Sequence, residues 1–367
     1  MRALVIGGTG PTGPTVVRGL QDRGYRVTIL HTGRHESDEI PPEVEHVHTD
    51  PFSGEATAAA LGERTFDLAL VMYGRLRVLA PLLAERVGRL VTIGGIAARL
   101  GFVDPRDLYP GGMPVPTPAD APNAPPDEPL VKVRRIVETE ATVFEHHPTA
   151  THLRYPLLYG PRQLVPREWP FVRRALDRRP VLVLADGGLT LESACYGENA
   201  AHAVLCAVDR PEKAAGRTYD VGDAVAMTLR QVAEVVATTL GHEWDVVSLP
   251  YEVAVPARPM VKHWSTAHRV VDTSAIRAEL GYEDVVPALE GVERTVRWLA
   301  EHPPERGGTV ERRLQDPFDY EAEDRLVARW RAAREELAAV RFAVAPGYGG
   351  AYYGREPNPA GAKDLEA

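Results

Sequence analysis

Ala3-Leu4-Val5-Ile6-Gly7-Gly8-Thr9-Gly10-Pro11-Thr12-Gly13, running into Val16-Val17-Arg18-Gly19-Leu20, is the stretch on which the reading of this chain turns. Four apolar residues make a buried strand, the glycines make a tight turn, and Val16, Val17 and Leu20 recur at helical spacing. A strand that turns on glycine into a helix aims unpaired N–H groups and the positive end of the helix dipole at one point. That geometry suits the pyrophosphate of a dinucleotide.

Outward from this turn, short apolar runs at 3–6, 27–30, 45–47, 68–71, 90–93 and 151–153 alternate with helical patterns at 14–23, 55–61, 76–87 and 130–146. The alternation predicts an α/β fold, a Rossmann-type doubly wound parallel sheet covered on both faces, with a smaller C-terminal substrate domain. Residues 1–155 are the expected nucleotide-binding domain. Residues 156–310 are the substrate-binding portion, with room for the chain to cross back to the sheet, and 311–367 a helical extension with a Gly/Tyr-rich tail. Thr228-Leu229-Arg230-Gln231 reads as a capping box opening a helix that ends at Gly241, and further helices fit 288–301 and 319–340. Residues 99–129 are rich in proline. A loop of that length beside a ligand site is expected to cover the pocket.

The 367 residues carry a net charge of -9, with 44% hydrophobic and 25% charged residues. No Lys/Arg cluster offers an electrostatic footprint for nucleic acid or an anionic membrane, so the expected partners are a small-molecule substrate and a second copy of the chain, as a homodimer. No run approaches the ~20 apolar residues of a membrane span, and with the first strand beginning within about two residues of Met1 no secretion signal is expected. Cys195 and Cys206 are the only cysteines, too few for a disulfide framework or a zinc cluster. They read as apolar packing residues, and a cytoplasmic location fits. No metal site is expected: His263, Trp264 and His268 lie close together but lack ligand spacing. Lysines are scarce, only Lys132, Lys213, Lys262 and Lys363, so one in a useful place stands out.

Further along stand Leu153-Arg154-Tyr155-Pro156-Leu157-Leu158-Tyr159-Gly160-Pro161-Arg162-Gln163, then Tyr196-Gly197-Glu198-Asn199-Ala200 and Arg217-Thr218-Tyr219-Asp220-Val221-Gly222-Asp223. With Gly7, Gly10 and Gly13, these segments resemble the extended short-chain dehydrogenase/reductase family, the NAD-dependent epimerase/dehydratases, across most of residues 1–300. The resemblance implies that Gly7, Thr9, Gly10, Pro11, Thr12 and Gly13 approach a cofactor pyrophosphate and that Asp50 contacts the adenine amino group. It also implies that Tyr155, Pro156 and Leu157 run over the nicotinamide. Tyr73, Gly74, Arg75 and Gly94, after the fourth and in the fifth strand, read as cofactor lining.

NAD-specific proteins end the second strand with an acid that repels a 2′-phosphate. Here the chain reads His31-Thr32-Gly33-Arg34-His35, with Glu36 further out. Arg34 can grip a phosphate with its planar fork, so NADP is expected in preference to NAD.

The catalytic pattern of the family is broken. Its members carry a Tyr-x-x-x-Lys pair at a helix start and a Ser or Thr after the fifth strand. The tyrosine exchanges a proton with the substrate oxygen, and the lysine holds the nicotinamide ribose and lowers the tyrosine pKa. Lys132 is suitably placed, but Glu128 stands four residues earlier. In Thr92-Ile93-Gly94-Gly95-Ile96 glycine takes the hydroxyl position, and strand alternation points Thr92 away. The expected set is therefore Lys132 with a proton carrier drawn from Tyr109 in the long loop, Tyr73, or Glu128 if its pKa rises.

On the substrate side the candidates are Gly95, Arg162, Gln163, Trp169, Glu192 and Tyr196, with Arg167 beside them. Sugar-nucleotide enzymes of the family place an asparagine and an arginine against the substrate diphosphate. The aligned positions here hold Leu157 and Glu192, which costs a hydrogen bond and sets a carboxylate against phosphate. The implied function is an NADP-dependent oxidoreductase of atypical short-chain type acting on a small, non-nucleotide carbonyl or alcohol. A redox-neutral epimerase/dehydratase using bound NAD(P), and a non-catalytic NADP(H)-binding sensor, stay open as alternatives.

Overall fold

β1 (Arg2–Ile6) carries four consecutive wholly buried residues, Ala3, Leu4, Val5 and Ile6, because both of its faces are covered. The computed structural model describes residues 1–72, 74–106 and 108–343. Tyr73 and the tail tyrosines fall outside them. Met1–Phe318 forms one compact unit.

The other strands are β2 (Arg26–His31), β3 (Glu45–His48), β4 (Phe66–Val71), β5 (Val87–Gly95), β6 (Thr151–Tyr155), β7 (Leu157–Tyr159), β8 (Val181–Ala185), β9 (Ala194–Tyr196), β10 (Arg217–Asp220) and β11 (Asp245–Leu249). Six of them join β1 in one parallel sheet in the order β10-β6-β5-β4-β1-β2-β3. Two short parallel pairs, β7 with β9 and β8 with β11, stand outside it. The strand order reverses between β1 and β4, the place where open α/β sheets take ligands at their carboxyl ends.

Helices α1 (Gly13–Asp22), α2 (Gly54–Leu61), α3 (Leu76–Leu83), α4 (Val131–His146), α5 (Trp169–Leu176) and α6 (Gly197–Asp209) follow the strands. Val16, Val17 and Leu20 of α1 pack with Ala203, Val204 and Ala207 of α6 on one sheet face. Leu61 of α2, Leu79 and Leu83 of α3 and Val143 of α4 cover the other. α3 stops at Leu83 rather than at 87, because Pro81 removes a helix donor and the chain re-enters the sheet at Val87. Correspondingly, β5 is longer than the apolar run 90–93: Arg89 extends it by donating to the carbonyls of Ala207 and Val208.

The remainder comprises α7 (Pro211–Ala214), α8 (Leu229–Leu240), α9 (Arg258–Val261), α10 (Ser274–Leu280), α11 (Ala288–Glu301) and α12 (Thr309–Leu314). α8 has the expected capping box, Thr228 with Gln231, and ends on left-handed Gly241. The second unit begins at Asp319. Its described part is α13 (Tyr320–Ala338), opened by Asp319, whose side chain accepts from the Ala322 N–H at 3.0 Å. No helix among the described residues is long and apolar enough to cross a membrane.

Residues 99–129 contain no helix or strand among the described positions, yet they are well anchored. The Arg99 guanidinium bonds Asp220 of edge strand β10 at 2.7 Å and the carbonyls of Ala119 and Ala121. Phe102 and Met113 add a small apolar cluster with Ile96 and Val271.

Candidate functional site

The turn after β1 is built so that position 13 admits glycine alone. A Cβ on Gly13 would lie 2.0 Å from the Gly8 carbonyl oxygen, because the start of α1 presses directly on the loop. A Cβ on Gly10 would meet nothing within 4 Å, so the loop leaves open space there. On one side, at the carboxyl ends of β2 and β3, lies a cavity of ≈ 430 Å³ lined by Thr32, Arg34, His48, Thr49, Asp50 and Phe52. A second, of ≈ 530 Å³, lies at the ends of β4, β5 and β6; Phe52, Gly74, Arg75, Gly94, Gly95 and Ile136 are among its lining residues. Phe52 is common to both, so the cavities adjoin along the carboxyl edge of the sheet.

His31 ends β2 buried, and burial lowers its pKa against the pull of Glu36. Glu36, the first acid after β2, lies 3.2 Å from His48 Nε2 and 3.4 Å from His46 Nδ1. It is thus directed at histidines and does not line the cavity that holds Arg34. Asp50 does line that cavity, and its Oδ1 accepts from the Phe52 N–H at 3.0 Å.

The proton-transfer candidates scatter. Lys132 is exposed in the first turn of α4. Glu128 accepts from the Leu130 N–H at 3.1 Å. The Tyr109 side chain is fully exposed, and Tyr73 is outside the described residues. What α4 presents to the cavity is the next turn: Arg135, Ile136 and Thr139. Sequence reasoning missed these three, although each follows Lys132 at helical spacing (i+3, i+4, i+7).

His152 was missed as well. It is fully buried beside Gly94, so close that a Cβ there would lie 2.2 Å from its Nε2. Its Nδ1 is 2.7 Å from Thr92 Oγ1, which turns into the sheet as alternation requires. Its Nε2 stands 3.5 Å from Glu140, too far for a strong hydrogen bond, and has no other partner. Glu140 takes a bidentate pair from Arg154 at 2.6 and 2.8 Å. Burial alone would raise the Glu140 pKa, but His152 and Arg154 hold the carboxyl below its ordinary value.

On the other side of the chain's second half is a small cavity of ≈ 70 Å³, walled mainly by Leu157, Tyr159, Phe171, Met227, Val232 and Val261. Arg167, Glu168 and Glu192 are its charged members. Glu192 is paired internally, with Arg167 Nη1 at 3.0 Å and His263 Nε2 at 2.8 Å. Burial opposes its ionisation, but the Arg167 charge and the His263 hydrogen bond outweigh it and bring the carboxyl to about 2. Glu168 behaves oppositely: it is buried, its Oε2 has no hydrogen-bond partner, and burial pushes its pKa up.

Several substrate-side candidates face other tasks. Trp169 is buried with Nε1 donating to Glu311 at 3.0 Å. Arg162 spans to Asp38 and Glu39 in the loop after β2, at 2.9 and 2.8 Å. The Gln163 amide donates to the Leu158 carbonyl at 2.9 Å. Tyr196 is buried against Tyr159, with ring centroids 5.5 Å apart. Tyr155, expected on the cofactor side over the nicotinamide, directs its hydroxyl into the core, to the Ala200 carbonyl at 2.6 Å.

No family model matches the chain. Among curated relatives, an uncharacterized protein, YbjS, of Escherichia coli (strain K12) is 28% identical over 171 residues, 41% of this chain and 50% of that protein. A UDP-D-apiose/UDP-D-xylose synthase of Arabidopsis thaliana is 28% identical over 147 residues, 39% of this chain and 38% of the synthase. These two matches therefore span half or less of the relatives' length. A 3-diazoavenalumate denitrifying reductase from Streptomyces sp is 26% identical over 312 residues, 78% of this chain and 97% of the reductase. Among solved structures, UDP-glucose 4-epimerase of Thermotoga maritima superposes with a TM-score of 0.65 at 18% identity, covering 83% of this chain and 100% of the epimerase.

Proposed function

Because this chain belongs to the NAD-dependent epimerase/dehydratase superfamily, the extended short-chain dehydrogenase/reductases, we propose that it is an NADP(H)-dependent oxidoreductase acting on a small, non-nucleotide carbonyl or alcohol. The observation that carries the reading is the cavity beside the glycine turn. It contains Arg34 and Asp50, while the Glu36 carboxylate is turned toward His46 and His48 and is not among the lining residues. The glycine contact at position 13, the open space at Gly10 and the two adjoining cavities fit a dinucleotide. When bound, the cofactor supplies hydride transfer at the nicotinamide ring.

The chain's own residues supply the rest. In this reading the N–H groups of Gly8, Thr9, Gly10 and Thr12 face the pyrophosphate, Arg34 the 2′-phosphate and Asp50 the adenine; Pro11 has no N–H, and that of Gly13 is taken by the Gly10 carbonyl at 3.0 Å. Arg75, Arg77 and Arg135 line the second cavity and are its cations, with Lys132 three residues before Arg135 toward the helix start. The small cavity between Leu157, Tyr159 and Phe171 is largely apolar, and its Arg167 is already paired with Glu192 at 3.0 Å, so it offers a diphosphate no free cation among the described residues. Glu168, whose pKa burial raises against the lowering charge of Arg167, lines that cavity with an Oε2 that has no hydrogen-bond partner among the described residues.

The nearly full-length match to a reductase favours net reduction over a redox-neutral cycle. Incubation of the full chain with NADPH and a panel of small aldehydes, ketones and diazo compounds tests this, read by the NADPH absorbance. Stoichiometric loss with one substrate class is expected. Turnover of substrate with no net NADPH loss would establish the neutral cycle instead, and binding without any turnover would establish a sensor.

A further inference from the structure

The parallel register of β2 with β3 sets His31 opposite His48 and Ile29 opposite His46. Three imidazoles from two strands therefore meet at one edge of the sheet, and the loop after β2 folds Glu36 onto them. Glu36 Oε1 is 3.2 Å from His48 Nε2 and 3.8 Å from His31 Nε2, and its Oε2 is 3.4 Å from His46 Nδ1. His31 Nε2 and His46 Nδ1 are 3.0 Å apart. One donor atom from each of the four residues lies within 4.8 Å of all the others.

Four ligands bound tetrahedrally at about 2.0–2.2 Å sit about 3.3–3.6 Å from one another. The measured separations bracket that edge length. We propose that His31, Glu36, His46 and His48 form a binding site for a divalent transition-metal ion, with Zn²⁺ the best match. Three imidazoles and one carboxylate suit zinc better than the oxygen cages that calcium and magnesium require. His31 is the buried floor, while Glu36 and His48 are exposed, which gives the ion an entry path.

In the present arrangement the Gly33 N–H donates to His31 Nδ1 at 3.3 Å, so Nε2 carries the imidazole proton toward His46. Metal binding moves that proton to Nδ1 and gives up the long bond to Gly33. His48 also lines the cavity that contains Arg34, so the ion would pin residues 32–36 against β3 at the cavity rim. The site stands whether or not a dinucleotide binds.

The test uses the full-length protein stripped with EDTA and titrated with Co²⁺, whose visible bands report four-coordinate binding. Saturation at one equivalent, and displacement by Zn²⁺, are expected. His48→Ala removes an exposed ligand without touching the core, and should weaken Co²⁺ by more than the about 10–100-fold typical of losing an outer-shell partner. Glu36→Gln should weaken it too, whereas His35→Ala, an exposed neighbour outside the set, should not. Circular dichroism of the metal-free variants checks that they fold. Absence of a saturable band, or a band that survives His48→Ala and His46→Ala unchanged, overturns the proposal.

Discussion

Arg34→Ala isolates the cofactor reading from every other feature of the chain. Arg34 is exposed, its neighbours in the cavity are Thr32, His48, Thr49, Asp50 and Phe52, and among the described residues no carboxylate pairs with its guanidinium. A charge-assisted hydrogen bond contributes about 1.5–3 kcal/mol. Solvent screening at an exposed position puts Arg34 at the lower end, about 1.5–2 kcal/mol, which converts to about 10–30-fold in dissociation constant. The loss falls on NADPH alone, since NADH has no 2′-phosphate. Titration calorimetry with both coenzymes should therefore show the NADPH/NADH preference collapsing by that factor, less steeply at high salt. A preference that moves by less than about threefold at low salt, in a variant that still binds NADH as before, would refute the assignment of Arg34 to the 2′-phosphate.

Two further outcomes concern stability. Gly13→Ala drives a Cβ to 2.0 Å from the Gly8 carbonyl and should cost at least the about 1–3 kcal/mol of an overpacked core, seen as a lower thermal midpoint and lost coenzyme binding. Glu192 is held near pH 2, below its ordinary 4.5. A depressed carboxylate stabilises the fold fully above its unfolded pKa and stops doing so as pH falls through the folded one. Denaturant unfolding of the native protein should lose on the order of 3 kcal/mol between about pH 4.5 and 2 through this group, and Glu192→Gln should flatten that part of the profile.

The sheet was legible because each buried parallel strand is a run of apolar residues and each covering helix repeats its apolar positions at helical spacing. The glycine turn and the capping box at Thr228 were legible for the same reason: their chemistry is local. The histidine cluster was not, since His31 meets His46 and His48 only through a strand register that no local pattern encodes. Nor was the state of Glu192. As a letter in the chain it is a bare negative charge; in the fold Arg167 and His263 have already claimed it. On α4 the eye stops at Lys132, because lysine is rare here, whereas the cavity is met by the following turn.

The imidazole lodged beside Gly94 also constrains what substitutions this strand end accepts. Placing a serine at position 94 would seem a single codon's work, but its first carbon would occupy the place already filled by His152. A library randomised at position 94 alone should yield mostly unfolded clones, while one that varies 94 and 152 in concert opens the room. Any redesign of that strand end must change the two positions together.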